Sequence, residues 1–158
     1  MLNRLDKTRQ ELAGKNAAID AWLNARQDLL IQYVSLISQR NGRQKCLPPC
    51  TDGRNFCQSL VDYISAGHFE IYQCVVDAME QASGRSLSLV NRIVPKLEHN
   101  TTELMQFVDA FCEVQDAELL MTLDAELNQL GPLLEERFRL EDRLVKALRL
   151  LDELLPAA

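Results

Sequence analysis

Apolar residues recur every three or four positions along most of the chain, and no stretch replaces that period with the alternation of a half-buried strand. Such a chain is confined to helices, each needing a neighbour to cover its apolar stripe. Ile19, Trp22, Leu23, Leu29, Leu30, Tyr33, Leu36 and Ile37 share one face of a helix predicted over about 16–39. A second helix is predicted over about 54–82, ended by "SGRS" through Gly84. A third pattern runs Leu89, Ile93, Leu97, Leu104, Phe107, Val108, Phe111. Leu120, Leu123, Leu127 and Leu130 mark a fourth, and Leu134, Phe138, Leu144, Val145, Leu148, Leu151 and Leu155 a last one.

Glycine and proline supply the punctuation. A short opening helix is expected to break near Gly14, and "QRNGRQKCLPPCTDG" reads as the longest loop. Pro95, followed by the capping pair Asn100 and Glu103, predicts a kink or restart between 94 and 101. "GP" at 131–132 predicts a break with the proline opening the last helix. The expected fold is all-α: an antiparallel bundle of four main helices with an additional short N-terminal helix, residues 1–158 forming one domain.

At 158 residues, 47% hydrophobic and 25% charged, the chain can bury one core without disulfides or metal. No apolar run approaches the roughly 18 residues of a membrane span, and the N-terminus shows no export pattern, so a soluble, cytoplasmic protein is expected. Residues 103–158 hold five Lys/Arg against thirteen Asp/Glu, which favours a basic partner over nucleic acid, although a solvated helix surface accounts for the same charge.

Of five cysteines, Cys57, Cys74 and Cys112 fall inside helical patterns, where a thiol behaves as a small hydrophobe. Cys46 and Cys50 bracket "CLPPC" in the loop, too few ligands for a structural zinc, so no metal and no cofactor is expected.

The stretch "FCQSLVDYISAGHFEIYQCVV", residues 56–76, carries two stripes. Phe56, Leu60, Ile64, Gly67, Ile71, Val75 and Ala78 cluster in one direction and suffice for a core, with Gly67 admitting a close neighbour. Nearly opposite lie Asp62, Ser65, Phe69, Tyr72 and Val76. Either another segment covers this second stripe, or its aromatics and carboxylate form an exposed recognition surface.

No catalytic motif is present: there is no GxSxG, phosphate-binding glycine loop or HExxH, and the chain is not expected to be an enzyme. His68 reads as a structural histidine within reach of Ser65 or Tyr72, and Arg137 with Glu141 as an ion pair at the edge of the core.

"FCQSLVDYISAGHFEIY" closely resembles the corresponding helix of the regulator of sigma D family, the Rsd and AlgQ anti-sigma factors of gamma-proteobacteria. "MLNRLD", "DAWLNARQDLL", "PKLEHNT" and "LEERFRLEDRL" resemble the family's pattern in the same order, whereas "CLPPC" departs from it. The resemblance implies a helical bundle that binds region 4 of the primary sigma factor and masks its −35 promoter and RNA polymerase contacts, regulating transcription in stationary phase. It further implies that Asp62 pairs with a sigma arginine while Ser65, Phe69 and Tyr72 form the adjoining contact surface. Signalling partners in sugar uptake and the stringent response are also implied for the family, with no residue here assigned to them. The alternative is a helical adaptor using the same acidic and aromatic patch for a different protein. Neither reading involves direct contact with nucleic acid or membrane.

Overall fold

The computed structural model describes residues 2–41, 50–80, 84–113 and 117–154, with side chains over 17–38, 52–78, 87–111 and 125–150. The described backbone is helical throughout and holds no strand. Helix α1 spans Leu2–Asn41; a second rod begins as α2 (Cys50–Ala66), passes through a π-helical turn (Gly67–Tyr72) and ends as α3 (Gln73–Glu80). Helix α4 spans Gly84–Glu113 and α5 Ala117–Leu154.

Side-chain contacts give the directions. Trp22 stacks on Tyr63 while Tyr33 meets Phe56, so α1 and α2 run antiparallel. Arg149 faces Asp20 and Tyr33 bonds the Leu127 carbonyl, so α1 and α5 do too. Arg137 bonds Thr101, and a groove brings Phe107 and Ala110 beside Glu126 and Leu130, which sets α4 against α5. The result is an up-down-up-down bundle of four rods whose apolar stripes, led by Trp22, Leu60, Ile93, Leu104 and Leu134, meet in a common core.

Several expected breaks are absent. The short separate N-terminal helix is not found, because α1 runs through Gly14 without interruption. Gly84 opens α4 instead of ending the second rod, and α2 starts at Cys50, ahead of the predicted 54. Helix α4 passes through Pro95 and α5 through Gly131 and Pro132, so the predicted fourth and last helices are one. Each proline frees the carbonyl four residues earlier, Asn91 or Asn128, and all four residues sit on solvent-facing turns where water can satisfy that carbonyl.

Gly131 has a packing role. A Cβ there would lie 2.9 Å from the Tyr33 hydroxyl, which donates to the Leu127 carbonyl at 2.9 Å. Gly67 likewise lets Trp22 approach: a Cβ would stand 3.2 Å from the indole, as its place on the core stripe predicted. Cys57 is buried in the core, as its helical spacing predicts; Cys46 and the side chains of Cys50 and Cys112 lie outside the described residues.

The π turn has the largest consequence. Its i→i+5 pattern accommodates one residue more than an α-turn, which turns everything beyond it by about 100° relative to a regular helix. Tyr72, roughly 120° from the core direction on an ideal helix, is thereby brought to about 20° and buried. Its expected place on an exposed stripe is corrected accordingly.

Candidate functional site

The second stripe divides where the π turn begins to act. Asp62 and Ser65, on α2, are exposed, and Phe69, within the turn, is 75% exposed. Gln58 Nε2 donates to Asp62 Oδ1 at 2.9 Å from one turn earlier, orienting the carboxylate without removing it from solvent. His68 is exposed and sets its ring edge-on to Phe69, centroids 5.1 Å apart. Tyr72, in contrast, is 7% exposed and faces inward.

Beside this surface, a groove of about 420 Å³ separates α1 from α2. On α1 the small residues Ala18, Ala21 and Ala25 line it together with Trp22 and Leu29, and three carboxylates, Asp28, Asp62 and Glu70, stand around it. Gln32 also lines it, and Gln32 Oε1 is buried with no donor among the described residues. The arrangement can seat a cationic side chain or a helix bearing one, because three carboxylates stand around an open groove that Trp22, Leu29 and Tyr63 back with apolar and aromatic surface.

Behind the surface lies a polar cluster that sequence periodicity placed only at the core's edge. Arg137 and Glu141 are 0% exposed and central. Glu141 Oε2 accepts from the Tyr63 hydroxyl (2.5 Å) and Arg26 Nη2 (3.1 Å), and Oε1 accepts from the Tyr72 hydroxyl (2.5 Å). Arg137 Nε lies 2.9 Å from Oε1, close enough for charge attraction although out of hydrogen-bond alignment. Arg137 also donates to Asn100, Thr101 and the Tyr72 oxygen, and Asn100 passes the chain on to the Leu133 carbonyl at 2.9 Å. Arg26 is sandwiched between Trp22 and Phe138, its guanidinium 5.3 and 4.7 Å from their ring centres, and reaches out to Asp142 at 2.5 Å.

Burial raises the Glu141 carboxyl above its ordinary value, opposed by Arg137, Tyr63, Tyr72 and Arg26. Burial and then Glu141 push the Tyr63 and Tyr72 phenols well up. Burial alone would lower the Arg26 guanidinium, but facing Tyr63, Asp142 and Glu141 it is held above its usual value. Two guanidiniums thus balance two carboxylates. Because Glu141 and Arg137 meet no solvent, no substrate reaches them; the cluster ties α1, α2, the π turn, α4 and α5 together. Among the described residues no group of three or more His, Cys, Asp or Glu is placed to hold a metal.

The family described as "Regulator of RNA polymerase sigma(70) subunit, Rsd/AlgQ" matches residues 1–149. The chain belongs to the Rsd/AlgQ family. It is similar to the regulator of sigma D of Yersinia enterocolitica serotype O:8, 37% identical over 148 residues, covering 92% of this chain and 89% of that protein. Identity to the regulator of sigma D of Escherichia coli O139:H28 is 36% over 147 residues, covering 92% of each. The Rsd/AlgQ family regulates a sigma factor, so this chain is a transcription-regulating, sigma-directed protein. Among the described residues no helix is long and apolar enough to cross a membrane.

In this Rsd/AlgQ protein the cluster left a signal in the sequence. Arg26 sits in the register Trp22, Leu29, Tyr33; Asn100 sits between Leu97 and Leu104; Arg137 and Glu141 sit between Leu134 and Leu144. Polar residues at core spacing in three helices, one each on α1 and α4 and two on α5, mark a shared buried layer.

Proposed function

We propose that this protein is an anti-sigma factor that binds region 4 of the primary sigma factor, masks its −35 promoter and RNA polymerase contacts, and so shifts transcription in stationary phase. The observation carrying this reading is Phe69, three-quarters exposed beside an unburied Asp62 on a groove rimmed by Asp28 and Glu70. A module that reads promoter DNA presents basic side chains to phosphates, and a carboxylate-ringed groove with an aromatic knob offers those side chains another partner. Asp62 pairs with a sigma arginine, Ser65 and Phe69 flank that contact, and Tyr72 supports them from beneath.

Isothermal titration with isolated sigma region 4 tests the reading. Asp62→Ala should weaken binding by about 2–5 kcal/mol, since it leaves a cationic partner unpaired, and Phe69→Ala should weaken it by losing an aromatic anchor. Parent-like affinity in both variants would refute the assigned surface, and no binding by the parent chain would refute the function.

A further inference from the structure

Across α1 from the Asp62 surface, the bundle carries a second face of opposite charge. Four of the five basic residues in 103–158, Arg139, Arg143, Lys146 and Arg149, recur at intervals of four, three and three, and so share one side of α5. The fifth, Arg137, is buried. Arg149 faces Asp20 at 3.8 Å, whereas Arg139, Arg143 and Lys146 are exposed and form no ion pair among the described residues. In the most acidic third of the chain, the positive charge is therefore gathered along one line.

That line borders a groove of about 650 Å³ between α1 and α5, floored by Tyr33, Leu134 and Phe138 and walled on α1 by Leu30. Beside Leu30, α1 leaves Ile31 (60%) and Val34 (58%) exposed. Of the two carboxylates on the rim, Asp142 is engaged by Arg26 at 2.5 Å; Glu135 remains at the end nearer Gly131. The α5 edge is thus net positive and the α1 edge apolar. From Gly131 to Lys146 the groove follows about 22 Å of helix, roughly four turns.

We infer that the α1–α5 groove is a docking site for an acidic amphipathic helix of a partner protein. A helix of about four turns can lay an apolar stripe at i, i+3, i+4 and i+7 against Leu30, Tyr33 and Phe138 while acidic residues on one flank meet Arg139, Arg143 and Lys146. The complementary charges set the orientation, and the separate location leaves the Asp62 surface free.

Fluorescence anisotropy on the full chain tests this with two labelled peptides of about 18 residues, sharing a leucine stripe and differing in flanks of Glu or Lys. The Glu peptide should bind saturably and at least about tenfold more tightly than the Lys peptide, with the preference shrinking as salt rises. The double variant R139E/R143E, checked for parent-like helicity by circular dichroism, should lose at least about tenfold in Glu-peptide affinity. Leu30→Glu should also weaken that peptide. Equal binding of both peptides, binding of neither, or indifference to the charge reversal would overturn the proposal. A parent dimer that R139E/R143E dissociates in sedimentation would assign the face to a second copy and overturn it as well. So would charge-dependent binding to vesicles containing phosphatidylserine without binding of the Glu peptide.

Discussion

The Tyr72 hydroxyl lies 2.5 Å from Glu141 Oε1, joining the π turn to the buried centre of α5. Phe69, three residues earlier, points the other way into solvent. The two aromatics of the second stripe therefore have separable roles. Tyr72→Phe should cost about 1–3 kcal/mol of stability, because Arg137 and Glu141 each lose a buried partner. Phe69→Ala should change stability by no more than about 0.5 kcal/mol. Denaturant unfolding of the two variants checks the contrast, and equal losses would show that Phe69 is packed.

The Arg137–Glu141 pair should behave as a coupled unit. Arg137→Met should destabilise the fold by about 3–5 kcal/mol by leaving a buried carboxylate undercompensated. Combining it with Glu141→Gln should cost less than the two single losses added together. A double-mutant cycle in guanidinium chloride measures this, and additivity within about 0.5 kcal/mol would argue against coupling.

Alkaline pH should open the bundle through Tyr63 and Tyr72. Their folded phenols are held above the ordinary 10.0, so the stability they contribute is present below about pH 10 and declines as unfolded phenols begin to ionise. Glu141 contributes differently. Its raised value means the folded state binds the proton more readily, so stability from this carboxyl falls as pH rises through the ordinary carboxylate range and does not drive acid unfolding. Phenolate absorbance followed together with helical circular dichroism should show Tyr63 and Tyr72 ionising only as helicity is lost. Full ionisation of all three tyrosines in a folded chain would contradict the buried network.

Gly131→Ala should destabilise by about 1–3 kcal/mol despite the better helix propensity of alanine, because the added Cβ meets a tyrosine oxygen already fixed to the Leu127 carbonyl. In a Tyr33→Phe background the same substitution should cost much less, since the next nearest Tyr33 atoms stand 3.7 Å away. Thermal melts of the single and double variants read the difference.

The all-helical bundle and much of its core were legible in the sequence because helical periodicity is local. Phe56, Leu60, Ile64, Ile71 and Val75 lie in the core as their spacing predicts. Asp62, Ser65 and Phe69 are exposed on the predicted second stripe, upstream of or within the π turn. Tertiary structure decided the rest. Leu30 shares the spacing of Leu29 and Tyr33, yet it forms a groove wall because α5 covers only part of that face. Pro95 and Pro132 read as breaks from the cost of one lost hydrogen bond, but packing on the opposite face carries both helices through. Tyr72 was misplaced because a uniform 100° rotation cannot anticipate a π turn, and the groups that hold Tyr72 in the core, Arg137 and Glu141, lie 65 and 69 residues away. That same distance hid the central position of Arg137 and Glu141: their charge marked them as polar, but only four helices brought together supply Arg26, Tyr63, Tyr72 and Asn100 to make burying them tolerable.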